Sequence, residues 1–199
     1  PSLRAVLSSV FVLFLSAGFA LAQAISIDEI NRYLNGLKTA EGEFTQINAD
    51  GTISTGQIYI HRPGRIRFEY NPPEETLVMA GGGQLAIFDG RAAGNPDQYP
   101  LKQTPLNLIL ARNIDLSRNE MIVGYREEGP ATVVVAQDPD RPELGTIELV
   151  FTAAPVELRQ WVITDETGTE TTLVLGALER DIQLSSFLFN IVLEAEKWQ

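Results

Sequence analysis

Short runs of alternating apolar and polar residues, turn residues between them, and only two helical segments predict a mainly β fold. Successive short strands with tight connections form an antiparallel meander, and about eleven of them curl toward a barrel. Two helices are too few to make a second layer. They serve instead as a lid over an apolar cavity inside the curved sheet, where a tightly packed core is the alternative.

Residues 1–24 read as a cleavable export signal rather than as part of that fold. Arg4 is the only charge, Val10-Phe11-Val12-Leu13-Phe14-Leu15 is the apolar centre, and Ala22-Gln23-Ala24 closes it with small residues. An uncleaved membrane anchor is the alternative, but the apolar run is short for a span. The domain is then 25–199, of a length that buries a real core.

The domain opens on a helix. Ser26-Ile27-Asp28-Glu29 has the capping-box form, in which Ser and Glu side chains satisfy the first free backbone donors reciprocally. Ile30, Tyr33, Leu34 and Leu37 share one face, and the helix should fail near Thr39. The period then changes. Strands are expected at 44–47, 53–61, 65–70, 75–80 and 83–88, separated by Gly51, Pro63-Gly64, Asn71-Pro72-Pro73 and a Gly81-Gly82-Gly83 hairpin turn. In the third, Ile66, Phe68 and Tyr70 point one way and Arg65, Arg67 and Glu69 the other. A poorly defined strand lies near Tyr99. A second series runs from Glu120 onward, at 132–137, 146–152, 158–164, 170–177 and 187–192.

One segment interrupts the strands. Thr104-Pro105 reads as an N-cap followed by proline at the first helical position. Leu106, Leu108, Ile109, Leu110 and Ala111 follow, and Arg112-Asn113 ends the run. A helix apolar nearly all round must be buried on most sides, which places it inside or across the mouth of the curved sheet.

Composition narrows the function. Without Arg4 the balance is 14 basic against 26 acidic residues, or −12, which repels phosphate backbones and anionic membrane surfaces. Nucleic acid is excluded as a partner, and a lipid would have to enter by apolar contact. The absence of cysteine removes a disulfide framework, a thiolate metal site, a cysteine nucleophile and an N-terminal lipid anchor. No cofactor or metal is implied, and an enzyme is not expected. His61, the only histidine, reads as exposed or capping; there is no G-x-S-x-G elbow, and Asp138-Pro139-Asp140 reads as a polar turn. Trp161 and Trp198 suit a core, a rim or a lipid contact equally.

The ordered motifs resemble the LolA family of lipoprotein carriers. Phe44-Thr45-Gln46, then Gly56, Arg62-Pro63-Gly64, Ile66-Arg67-Phe68, Tyr70 and Pro73, are similar to the N-terminal half of that family. Residues 104–113 resemble its lid helix. Leu158-Arg159-Gln160-Trp161, Asp165, Gly168 and Phe187-x-Phe189 resemble its C-terminal sheet. The resemblance implies an incomplete antiparallel β-barrel with a helical lid over a hydrophobic cavity. It implies an exported, soluble periplasmic chaperone, a monomer. Its cargo would be acylated lipoproteins, taken from an inner-membrane ABC transporter and delivered to a LolB-like outer-membrane receptor or to the outer membrane directly. By the same resemblance Arg62 holds the lid shut, where a solvated strand-end arginine is the alternative. Ile66, Phe68, Leu106, Ile109 and Leu110 then line the lipid cavity, where ordinary core packing is the alternative. Two departures stand out: Ile66 replaces an aromatic of many relatives, and Asn190-Ile191-Val192-Leu193 replaces a proline that introduces an extra C-terminal strand. A lipid-responsive regulatory domain on the same half-barrel is the competing function.

Overall fold

The computed structural model describes residues 24–91, 94–118 and 120–198. Apart from Ala24, the expected export signal lies outside the described residues.

The first helix, α1 (Ile27–Gly36), starts with the expected capping box: Ser26 Oγ accepts from Glu29 N, and Glu29 Oε2 accepts from Ser26 N at 3.1 Å. It buries Ile30, Tyr33 and Leu34 and turns at Leu37 straight into strand β1 (Thr39–Ile47). Strands β2 (Ile53–His61), β3 (Ile66–Tyr70), β4 (Thr76–Gly81), β5 (Gln84–Asp89) and β6 (Asp97–Pro100) follow. After the lid come β7 (Ile122–Glu128), β8 (Ala131–Gln137), β9 (Thr146–Thr152), β10 (Glu157–Thr164), β11 (Glu170–Leu175) and the short β12 (Glu179–Arg180).

All twelve belong to one antiparallel sheet, ordered β6-β5-β4-β3-β2-β1-β11-β10-β9-β8-β7. Each half is a meander, and the halves join where β1 pairs with β11. β6 and β7 form the ends of this order and do not pair with each other, so the barrel is incomplete. β1 is longer than expected because it carries both halves: β2 pairs along its whole length, β11 pairs with its end and β12 with Ala40 and Glu41. Between those two partners sits Gly42, where a Cβ would come within 2.7 Å of the Ala177 carbonyl. Curvature is aided by register shifts at 122–124 and 158–160.

Alternation sends one face of each strand inward. Ile58 and Ile60 of β2 lie opposite Phe68 and Ile66 of β3, and Ile147, Leu149 and Phe151 of β9 are fully buried. These residues form one apolar cluster with α1 and with the second helix, α2 (Leu106–Leu110). The Gly82-Gly83 turn between β4 and β5 has φ of +57° and +80°, the left-handed pair a tight hairpin requires.

Two local expectations fail. Thr104 is not an N-cap: its hydroxyl donates to the Leu101 carbonyl, within a 3-10 turn at Leu101–Gln103, and Pro105 takes the cap position. The strand expected at 187–192 is a 3-10 turn, Ser186–Phe189, followed by a third helix, α3 (Ile191–Ala195). Ser185 Oγ accepts from Phe187 N, and Asn190 Oδ1 accepts from Leu193 N at 3.1 Å. Both side chains therefore satisfy local backbone donors that a strand would have shared with a neighbour. α3 covers the outer face of the sheet, where Ile191 joins Leu77, Met79, Ala86 and Phe88 in a second, smaller apolar cluster.

Candidate functional site beneath the lid

The expected site residues lie together where α1 and α2 pack against the inner face of the sheet. Leu106, Leu108, Ile109 and Leu110 are all buried, as a helix apolar nearly all round requires. Arg62, Ile66, Ile109 and Leu110 line a common cavity with Leu34, Leu37, Ile60, Leu158 and Trp161. Phe68 and Leu106 lie in the same apolar cluster without lining it. Phe68 holds the floor together, with ring-edge contacts to Phe44 (5.6 Å) and Trp161 (6.3 Å). The cavity is apolar and closed down to about 10 Å³, space for about one water molecule. An acyl chain fits there only when the lid side chains withdraw.

Sequence alone leaves Trp161 open between core, rim and lipid contact, and it does not mark the other four lining residues as cavity residues. Leu34 and Leu37 lie on the apolar face of α1, and Ile60 and Leu158 follow the strand alternation. Their periodicity marks them as buried but does not say that they meet around one space.

Arg62 directly follows β2 and is 6 % exposed. Its Nη1 donates to the carbonyls of Leu34 and Leu37 (3.4 Å to the latter), and its Nη2 to the carbonyl of Ala111 at 2.6 Å. The first two carbonyls belong to the C-terminal turn of α1 and the third follows the last residue of α2. Helix C-termini leave carbonyls without intrahelical partners and carry partial negative charge, so one guanidinium caps both helices. Its planar donor array suits the task. Burial lowers its pKa, and among the described residues it forms no ion pair; its Nε is buried without a partner. The turn after Arg62 adds a backbone bond, Gly64 N to the Leu110 carbonyl at 2.8 Å. His61 is half-buried, with its ring edge against Phe189 at 5.7 Å.

Larger open clefts of about 460 and 270 Å³ lie beside the C-terminal segment, and none of the expected site residues lines them. No helix among the described residues is long and apolar enough to cross a membrane.

The fold and site define a half-barrel whose apolar interior is closed by helices capped from the sheet. The chain belongs to the LolA family: the family model described as outer membrane lipoprotein carrier protein LolA matches residues 35–192. An outer-membrane lipoprotein carrier protein of Cupriavidus taiwanensis is 25 % identical over 198 residues, spanning 94 % of this chain and 92 % of the relative. One from Pseudomonas aeruginosa is 25 % identical over 200 residues, spanning 94 % and 95 %. Among solved structures, a LolA superfamily protein from Nitrosomonas europaea is similar at 11 % identity, with 84 % and 98 % covered and a TM-score of 0.45.

Proposed function

We propose that this protein is a periplasmic carrier. It takes the acyl chains of lipoproteins under its lid after their release from the inner membrane, and delivers them to the outer membrane. The observation that carries the proposal is the capping of both lid helices by one buried arginine over an apolar interior, in a member of the LolA family. By resemblance to that family, cargo arrives from a lipoprotein-releasing ABC transporter and leaves to a LolB-like receptor or to the membrane itself.

The physical difficulty for a carrier is release. Burying one acyl chain of about 14 methylenes is worth ~11 kcal/mol at ~0.8 kcal/mol each. Binding of that strength would hold cargo permanently. Here loading must first displace Ile109 and Leu110 from the floor and break the Arg62 bonds, each worth about 1.5–3 kcal/mol when the donor is charged. Closing the empty lid regains both, so the empty state competes with cargo and net affinity stays moderate.

The test is purification from the native periplasm followed by mass spectrometry, with transfer of the bound species to acceptor membranes. Co-purification of acylated peptide and its onward transfer support the carrier. Recovery without acylated peptide, bound only to a membrane-anchored regulatory protein, would replace it with the sensor reading.

A further inference from the structure

Seven residues of chain, from 110 to 116, are stitched down from two sides. The sheet holds the Leu110 and Ala111 carbonyls through Gly64 and Arg62. The rest of the segment is held by α1, through two asparagines one turn apart. Asn35 Oδ1 accepts from Ile114 N at 3.0 Å and its Nδ2 donates to the Ile114 carbonyl at 2.7 Å, pairing with both backbone groups of Ile114 as a neighbouring strand would. Asn31 Oδ1 accepts from Leu116 N at 2.9 Å.

We propose that Asn31 and Asn35 are lid-positioning residues: a second clamp, separate from Arg62, that fixes the segment trailing α2 to α1, so that α2 opens by moving away from α1. The inference rests on the carrier reading for its purpose, since a lid that never opens needs no clamp.

Residue choice supports it. Asparagine lowers helix propensity because its amide competes for backbone bonds, yet two of the ten residues of α1 are asparagine. Their i, i+4 spacing puts both amides on one face, toward residues 114–116. Ile114 and Leu116 are buried beneath them, at 4 % and 2 % exposure.

The same contacts identify which part moves. α1 is tied to the sheet at its centre and through the residues that flank it at both ends. Ile25 N donates to Thr132 Oγ1 at 2.9 Å, and Tyr125 donates its hydroxyl to the Ile25 carbonyl at 2.6 Å. The Tyr33 ring meets Phe151 edge-on at 5.9 Å and lies under the Arg180 guanidinium at 5.0 Å. Arg62 N donates to the Lys38 carbonyl at 2.8 Å. α2 spans five residues. Beside it, between Leu108, Ile114 and Met121 on one side and Asp138 on the other, lies a cleft of about 230 Å³ into which the segment can swing. α1 is therefore the frame and residues 106–116 the moving part.

The two asparagines differ in a way that chemistry can exploit. Asn31 acts on the segment as an acceptor alone, so an aspartate can replace it. Asn35 uses donor and acceptor together, and an aspartate would set a carboxylate against the Ile114 carbonyl. The native chain has no cysteine, so spin labels at Arg32→Cys on α1 and Arg112→Cys after α2, both exposed, report the lid without interference. In the cargo-free protein, Asn35→Leu, Asn35→Asp and Asn31→Leu should lengthen the inter-label distance and speed amide exchange at Ile114 or Leu116 about tenfold, equivalent to ~1.4 kcal/mol. Asn31→Asp should keep the native distance and exchange. Leucine is the better helix former, so loss of closure in the leucine variants is not loss of α1. Native distance and exchange in both Asn35 variants would overturn the clamp, as would Asn31→Asp behaving like Asn31→Leu. Because these readouts need no cargo, they fail independently of the transfer assay that tests the carrier.

Discussion

A buried guanidinium bonded to main-chain carbonyls gains several charged hydrogen bonds and loses its full hydration. That near-balance suits the proposed carrier role, in which the contact is made and broken once per delivery. Arg62→Leu removes the caps and leaves an apolar side chain beside Ile66 and Leu110, so the open, loaded form gains. Cargo should still load, and transfer to acceptor membranes should slow by about tenfold or more, for a shift of at least ~1.4 kcal/mol. Wild-type transfer rates in this variant would remove the latch role. Arg62→Lys should fall between, because one ammonium cannot cap two helix ends as a planar fork does. A different residue-scale prediction concerns Gly56, where a Cβ would run into the Glu69 carbonyl and the Phe44 ring. Gly56→Ala should lower stability by about 2–4 kcal/mol in urea denaturation, an effect on the sheet rather than on delivery. At this scale the sequence was only partly legible. Arg62 at a strand end also reads as solvated, and family resemblance was needed to single it out. Asn31 and Asn35 look like the wet face of an amphipathic helix, since nothing local says that residues 114–116 return to them.

Among the elements, the C-terminal segment departs most from its sequence pattern. Phe187 and Phe189 suit a strand by alternation, but Ser185 and Asn190 cap a turn and a helix, and the segment crosses the outer face instead. Legibility fails here because short capping signals compete with alternation on equal terms, and the Arg67 partner that decides the matter is over a hundred residues away. Arg67 Nη1 meets Glu194 Oε2 at 3.0 Å, both side chains 8 % exposed, while Lys197 also bonds Glu194 and Glu69 also bonds Arg67. Burial opposes the Glu194 charge, and the bonds from Arg67 and Lys197 outweigh it, holding its pKa below the ordinary value. Burial, with the nearby Arg65 charge, also holds His61 low, against Phe189 of the same segment. Both groups therefore take up protons more readily in the unfolded chain. The stability they contribute is present at neutral pH and is lost on acidification, below 6.5 for His61 and below 4.5 for Glu194. Trp198, packed on Phe88, reports the segment. Its emission should shift on acidification before the sheet unfolds. Glu194→Gln should cost about 3 kcal/mol at neutral pH, as expected when one member of a buried ion pair is removed, and should flatten the loss below 4.5. An acid response unchanged by Glu194→Gln would assign it elsewhere.

For the whole molecule, the sheet was the most legible part because its information is local: period-two runs and glycine or proline turns placed β2 and β9 at their observed bounds. The joining of the halves at β1–β11 and the closeness of the shut interior depend on contacts far apart in sequence, which periodicity does not carry. The proposed carriage depends on those same contacts, since the floor comes from both halves and the roof from two further segments. Trp161, at the floor of the cavity, is one of two tryptophans; the other, Trp198, packs on the outer face. A triacylated lipopeptide with bromine along its acyl chains, added to the Trp198→Phe protein, therefore asks directly whether fat enters beneath the lid. Entry quenches Trp161 emission saturably. Full Trp161 emission at saturating lipopeptide, with quenching seen only in a Trp161→Phe protein that retains Trp198, would place the acyl chains outside the sheet and contradict carriage under the lid.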